Sequence, residues 1–351
     1  MTQVAYSVVP FRTDGQRDAL GQLWKENSYD PQTNVCARER FDWLYRHSGA
    51  SDVQTWLAVE SEHHSVVGCA SVFRSNRYFR GQVVQTGVPA VFFVRKEHRL
   101  AAAALAIQRA VLAGGREAGF DLFIGKPNRQ AGAICERVGY RPVGDLGDWG
   151  RVVWDDDSVA TRPNRADYVD EIVTAADGRF DQLWNRARDR YPMVAEKTAA
   201  FLNWRYGGFT ENNRFYLLLR NSDRQLLGYV VFYAMSDGAV IVDLLCEEPS
   251  GPILENLLLG FCARMKAEGH VWVSLWYGGA PAFERQLEQI GFRRGKRRRT
   301  LVAYVNPAAD ASFRREMLER NHWFIFAGEM DVLLSDEVWR PAASDVPIAR
   351  V

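Results

Sequence analysis

Apolar runs of strand length alternate along this chain with longer stretches in which apolar residues recur at helical spacing. Runs that read as strands include SVVGCASVF around Gly68, AVFFV ending at Val94, QLLGYVVFY around Gly228 and VIVDLL around Asp243. The helices predicted in the first half are Asp14 to Glu26, Arg38 to Arg46, Leu100 to Ala118 and Arg129 to Arg137. Those predicted in the second half are Arg179 to Arg190, Ala195 to Trp204, Ile253 to Glu268 and Pro281 to Gln289. Strands interleaved with helices in this way specify an α/β chain, with helices laid on a mixed sheet.

The two halves repeat one another. Trp43 in FDWLY aligns with Trp204 in LNWRY, and Gly68 aligns with Gly228 inside matching strands. Further on, EAGFDLFIG aligns with AEGHVWVSL through Gly119 and Gly269, and ERVGY aligns with EQIGF through Gly139 and Gly291. The register slips once, at an insertion in the first copy, SNRYFRGQVVQTG, which is predicted to lengthen a hairpin. A duplicated domain accounts for this pattern. The first domain is expected over 1–158, the second over 166–335 and a tail over 336–351, with a linker near Asp155 to Ala166 where acidic residues meet Ser, Thr, Pro and Asn. Each copy is expected to end in a closing hairpin, the second one built on the basic run RRGKRRRT, Arg293 to Thr300.

Composition narrows the classes. At 351 residues the chain can bury two cores, and its 47% hydrophobic and 25% charged residues are those of a globular protein, not a fibrous or disordered one. Lys+Arg 44 against Asp+Glu 43 leaves a net charge of +1, so no global field draws it to nucleic acid or an anionic membrane. Any anion site must be local. The N-terminus lacks a charged start followed by an apolar core, and no run reaches the roughly 18 apolar residues that span a bilayer, so a cytoplasmic protein without membrane insertion is expected. Five cysteines without a C-x-x-C pair, and six histidines without helical pairing, predict reduced thiols and no metal site.

The chemistry concentrates at one junction. In AVFFVRKEHRLAAAALAIQRAVL a strand runs into a helix through Arg95, Lys96, His98 and Arg99. A helix start carries unpaired N–H groups and partial positive charge, which suits a pyrophosphate, and Arg99 adds a full charge. At this point the sequence resembles the GNAT acyltransferase superfamily, whose signature here is V-x-P-x-Y-R followed by R/Q-x-x-G-x-G/A. Val94, Arg99, Ala102 and Ala104 match, with Lys96 and His98 replacing Pro and Tyr. The resemblance continues in NRQAGAICERVGY, where Asn128, Ala131, Gly139 and Tyr140 fit an N-x-x-A-x-x-x-Y-x-x-x-G-F/Y element with Cys135 at the Tyr position. It implies two tandem GNAT-like domains and an acyl-CoA donor, acetyl-CoA first, held by Phe93, Val94, Arg99, Leu100, Ala101, Ala102, Ala103, Ala104 and Asn128. It also places Cys135 where a general acid would protonate the departing thiolate, although a buried free Cys more often simply packs.

The second copy has Glu247 and Glu248 at the corresponding junction, and Ala280 and Leu287 in place of Asn128 and Cys135, so it is expected not to hold the donor. Asp243, in an apolar strand, is the candidate base; the alternative for it is a structural carboxylate. Trp43 and, in the second copy, Trp204, Arg205 and Tyr206 lie on a helix expected to face the acceptor, with the tryptophans as packing anchors. An F-L-N-W-R-Y element and the stretch WFIFAGEMD, Trp323 to Asp331, resemble those of tandem GNAT proteins of bacterial polysaccharide assembly, implying an amino sugar or its nucleotide conjugate as acceptor. The expected activity is therefore N-acetyl transfer to a small-molecule primary amine, with no nucleic acid partner and the oligomeric state left open. The alternatives are a Fem-like aminoacyl transferase, for which the long helical arm is missing from the sequence, and a catalytically inactive ligand-binding protein.

Overall fold

The structure is a computed structural model and describes residues 5–12, 16–27, 43, 53–99, 101–154, 165–207 and 213–330. In chain order the first half forms β1 (Tyr6–Pro10), α1 (Arg17–Asn27), β2 (Val53–Glu60), β3 (Val66–Arg74), β4 (Arg77–Phe79), β5 (Gln82–Val84), β6 (Thr86–Val94), α2 (Ala101–Glu117), β7 (Leu122–Gly125), α3 (Arg129–Arg137) and β8 (Arg141–Val152). The second half forms β9 (Tyr168–Val173), α4 (Gly178–Ala187), β10 (Met193–Ala195), α5 (Ala199–Leu202), β11 (Arg214–Arg220), β12 (Leu226–Ala234), β13 (Gly238–Cys246) and α6 (Pro252–Ala267). It continues with β14 (Trp272–Gly279), α7 (Pro281–Gln289), β15 (Arg293–Val305), α8 (Ala311–Met317) and β16 (Phe324–Phe326). This is the mixed α/β architecture expected. No described helix is long and apolar enough to cross a membrane.

The chain divides into two compact units, Met1–Asn76 with Val84–Val143 and Leu301–Leu318, and Arg77–Val83 with Gly144–Thr300 and Glu319–Val351. In the first, strands run in the order β1-β2-β3-β6-β7, and the end of β15 closes the sheet by pairing Val302 with Gly125. Among the described residues only β6 and β7 are parallel neighbours there. Helix α2 lies on this sheet, with Ile107 and Val111 in a core shared with Trp56, Val72, Phe120 and Phe123. Gly114 and Gly115 make the close approach, since a Cβ on either would run into the Trp56 or Phe123 ring. In the second unit the order is β8-β14-β13-β12-β11-β9, with β13 and β14 parallel, and off this path β10 and β16 are parallel too. Its core includes Phe180, Phe215, Tyr229, Phe261 and Trp272.

The two units exchange their last strands, and this changes two expectations. The closing hairpins do not form: Arg141–Val152 and Arg293–Val305 are single long strands, so the basic run lies along one strand with most of its side chains exposed. Because β8 completes the sheet of the second unit and β15 that of the first, the units are not the contiguous stretches 1–158 and 166–335. The linker from 155 to 164 and the tail from 336 lie outside the described residues. The insertion does form a hairpin, β4 and β5 joined through Arg80 (φ 50°) and Gly81 (φ 77°), the left-handed pair a two-residue turn requires. Its first strand pairs with β10 inside the second unit. Finally, the helix expected over Ala195 to Trp204 is shorter: β10 and the cap Thr198 precede α5, and a wide turn, Asn203–Gly207, follows it.

Candidate functional site

In the first unit β6 is held by β3 along its length to Val94, but meets β7 only at Thr86 and Gly87. Two residues separate the strands. Pro89 has no N–H to give a neighbour, and Val91 sits at φ 54° in a bulge that adds a residue to β6 against Cys69–Ser71. A β-branched residue in that region costs on the order of 1–3 kcal/mol and persists only where its surroundings impose it, which marks the bulge as a functional candidate. From Val88 onward, β6 therefore has no strand partner on its β7 side among the described residues. Across the gap, a Cβ on Gly125 would meet nothing nearer than Pro89 Cδ at 4.0 Å.

The junction above this gap carries the cations. Lys96–His98 forms a single tight turn, and Arg99 Nε donates to the Val94 carbonyl at 3.0 Å, which draws the guanidinium back over the strand end. Arg95 pairs with Glu26 at 2.9 Å, and the Tyr6 hydroxyl lies 3.2 Å from His98 Nδ1. Val94 is buried, whereas Phe93 is half-buried with its ring edge-on to Trp24. Helix α2 begins at Ala101 with Ala102 exposed and Ala103 and Ala104 buried; Leu100 lies outside the described residues. The first N–H groups of a 17-residue helix thus stand beside Arg99, at the end of the opened strand.

Asn128 and Cys135 lie on the next element. The Asn128 side chain accepts from Ala131 N at 2.9 Å and caps α3, so its oxygen has a structural duty and only its amide N–H₂ is left for a ligand. Burial pushes the Cys135 thiol up to about 11. It is protonated at neutral pH but is a weaker acid than an ordinary thiol of pKa about 8.5, which makes proton transfer from it to a departing thiolate unfavourable. Alkylation of Cys135 by iodoacetamide at pH 8 is expected to be slow in the folded protein and fast after denaturation, read by peptide mass mapping; fast labelling of the native chain would show an open thiol.

In the second unit the corresponding features are closed. At the end of β13, Glu247 and Glu248 are neutralised by Arg186 and Arg190, with Arg190 Nη1 to Glu248 Oε1 at 3.3 Å. Tyr191 donates its hydroxyl to the Cys246 carbonyl and accepts from Cys246 N. The gap where β13 leaves β14 after Ile241 and Leu275 is taken by the chain itself: β16 pairs with the end of β14, and Gly328 lies so close to Val242 that a Cβ would stand 2.7 Å from its carbonyl oxygen.

That segment is fastened by buried charges. Lys197 Nζ donates to both oxygens of Asp243 at 2.6 Å and to Glu329 Oε1 at 3.0 Å. Arg77 donates to Glu329 Oε2 at 2.8 Å, Tyr206 donates to Asp243 Oδ2 at 2.7 Å, and Arg205 donates to the carbonyls of Gly328 and Met330. Burial pushes the Asp243 carboxyl up despite Lys197, while burial of Glu329 is overridden by Lys197 and Arg77, which hold its carboxyl below the usual range. The expectation of Asp243 as base is corrected by this geometry: its side chain is 0% exposed and both its oxygens are engaged by an ammonium. Trp204, Arg205 and Tyr206 are likewise buried and hold the fold, where contact with the acceptor had been expected, and Trp43 is buried too. Lys197, Arg77 and Glu329 come from three remote segments, and nothing in their local sequence signals that they meet.

No protein-family model matches the sequence, and no curated protein matches it significantly. Solved structures match its fold. A GCN5-related N-acetyltransferase from Kribbella flavida is 16% identical, with a TM-score of 0.62 over 86% of this chain and 71% of that one. A GCN5-related N-acetyltransferase from Anabaena variabilis is 15% identical, with a TM-score of 0.65 over 86% and 73%. The N-myristoyltransferase of Saccharomyces cerevisiae, solved with bound myristoyl-CoA, is 11% identical, with a TM-score of 0.54 over 90% and 88%. The chain has the tandem GNAT-like fold that the sequence motifs imply.

Proposed function

We propose that this protein is an acyl-CoA-dependent N-acyltransferase whose donor site is the opened strand pair of the first unit. The observation that carries this reading is the parting of β6 from β7 beyond Gly87, with Gly125 leaving room across the gap and Arg99 beside a helix start at its end. The β7-facing edge of β6, which has no strand partner beyond Gly87 among the described residues, fits an extended, amide-bearing chain such as the pantetheine arm of coenzyme A, which can join the strand as an added neighbour. Arg99 and the first N–H groups of α2 suit the pyrophosphate. The donor, when bound, supplies the activated acyl thioester; acetyl is the proposed acyl group and the amine of an amino sugar the proposed acceptor.

The chain's own contribution is to position and orient. In this reading Phe93 and Val94 lead the donor toward the cap of α3, where the Asn128 amide N–H₂ donates to it. With Asp243 sealed by Lys197, the acceptor amine in this reading loses its proton to water. The value of kcat/KM is therefore expected to rise with pH up to the pKa of the acceptor amine itself; a plateau reached well below that value would reveal an enzyme base. Because Cys135 is a poor acid, Cys135→Ala is expected to keep kcat within about threefold of wild type, and a hundredfold loss would restore the thiol as proton donor.

Calorimetric titration with acetyl-CoA distinguishes the units. Arg99→Ala is expected to weaken binding about tenfold, near 1.4 kcal/mol, and Glu247→Ala to leave it unchanged. The reverse pattern would move the donor to the second unit.

A further inference from the structure

The basic run of β15 is the densest run of charge in the chain, and the proposed activity uses none of it. Between Glu288 and Asp310 there is no acidic residue, and Arg293, Arg294, Lys296, Arg297 and Arg298 stand exposed along the strand. Within the second unit Arg294 is held in place but little engaged. Its guanidinium lies above the bare backbone of Gly147, where an added Cβ would stand 3.3 Å from Nε, and 5.7 Å over the Trp149 ring. Its ion-pair partner is Glu284 Oε1 at 3.6 Å, too far for a hydrogen bond. That oxygen already accepts from Arg320 Nη2 at 2.6 Å, and Arg320 Nε donates to the Gly279 carbonyl at 3.1 Å. Two guanidiniums, with side chains 31% and 35% exposed, thus flank one carboxylate oxygen. Lys296 projects from the same face of β15 as Arg294, about 7 Å along the strand, and has no partner among the described residues. Asp145, two residues from Gly147 on β8, pairs with none of the three cations.

We infer that Arg294, Arg320 and Lys296 form a surface site for a small molecule carrying a diphosphate group, one phosphoryl group at the two guanidiniums and the other at Lys296. Phosphate oxygens accept from guanidinium forks, and Arg294 has its whole fork to give. Two like charges share a single carboxylate there, and an added anion relieves their repulsion. Charge also decides between a compact ligand and an extended one. The 44 basic residues of the chain, less the six of this run, leave 38 against 43 acidic ones. A nucleic acid or an anionic bilayer laid over the strand would therefore meet an acidic remainder, whereas a diphosphate stays within one Debye length, about 8 Å, of its cations. Successive side chains of the strand point to opposite faces, so a flat surface reaches only half of them. The run holds no aromatic residue on which a base could stack, and among the described residues the exposed large apolar side chain is Val83, on the β4–β5 hairpin. The site shares no residue with the proposed donor site, so the two stand or fall separately.

Calorimetric titration of the full-length protein with inorganic pyrophosphate at physiological salt tests it. Saturable binding is expected, at least about tenfold tighter than that of orthophosphate. Arg294→Gln and Lys296→Gln, both at exposed positions, are each expected to weaken it about tenfold while leaving the affinity for acetyl-CoA unchanged. In Arg99→Ala the pyrophosphate affinity of this site is expected to persist. No saturable binding to the wild-type protein would overturn the inference. So would binding that is lost in Arg99→Ala and kept in Arg294→Gln, which would assign the ion to the donor junction, or a loss of acetyl-CoA affinity in Arg294→Gln, which would make the arginine part of that junction. Polyuridylate and vesicles containing phosphatidylserine are expected to bind more weakly than pyrophosphate at the same salt. Tighter binding of either, abolished by Arg294→Gln, would put a nucleic acid or a membrane in place of the compact ligand.

Discussion

Lys197→Met is expected to destabilise the protein by about 3–5 kcal/mol, because it leaves Asp243 and Glu329 buried beside each other with their shared ammonium gone. The loss has little to do with the strength of the ion pair as such. A buried pair replaced as a whole by apolar residues is often close to neutral, whereas removal of one partner strands the other. The double variant Lys197→Met/Asp243→Asn is therefore expected to recover a substantial part of the loss, and the double-mutant cycle by urea unfolding reads the coupling directly. Single and double variants both within 1 kcal/mol of wild type would mean that the cluster is open to water. Acid probes the same device with a defined sign. The Glu329 carboxyl is held below its ordinary value near 4.5 in the folded state, so its contribution is present above that value and is lost as pH falls toward the folded pKa. Asp243 is raised instead, so its ionisation opposes folding as pH climbs from the usual carboxylate range, and its neutralisation in acid partly offsets the loss at Glu329.

Gly125→Leu is expected to weaken acyl-CoA binding by one to two orders of magnitude, about 1.4–2.7 kcal/mol, while shifting the unfolding midpoint little. The substitution is tolerated by the fold because the Cβ has only Pro89 within reach, at 4.0 Å, and Gly125 does not occupy the left-handed region. It acts on binding, in the proposed reading, because the added side chain takes up the open space beside Pro89. Gly279 and Gly328 of the second unit contrast with it: a Cβ on Gly279 would run into Trp323 of the chain that fills the corresponding gap, and one on Gly328, within that chain, would run into Val242 and Tyr206, so the position that is open in the first unit is closed in the second. Calorimetry with acetyl-CoA, paired with thermal unfolding, checks both halves of the expectation. Unchanged affinity in a folded Gly125→Leu protein would place the donor elsewhere.

The repeat was the most legible feature, because glycines at fixed turns and the W-x-Y element keep their register through duplication. Helices with strong apolar periodicity were equally plain: Arg129–Arg137 and Pro281–Gln289 fall within the predicted bounds. The exchange of the final strands was not legible, since a strand's sequence states its apolar faces but not which sheet it joins. The proposed donor junction could be read from motif spacing, yet the opening beside it rests on Pro89, Val91 and Gly125. Of these only Pro89, a proline inside an apolar strand, carried a local signal. For Asp243 the sequence allowed both a base and a structural carboxylate, and the answer came from Lys197 and Tyr206, whose approach no local pattern encodes.

A crystal structure with acetyl-CoA tests the central claim most directly. The account predicts a pantetheine arm lying along β6 between Val88 and Val94, with its pyrophosphate at Arg99 and the first turn of α2. Coenzyme A found at the Glu247–Pro252 junction of the second unit, or absent from crystals soaked at saturating concentration, would contradict it.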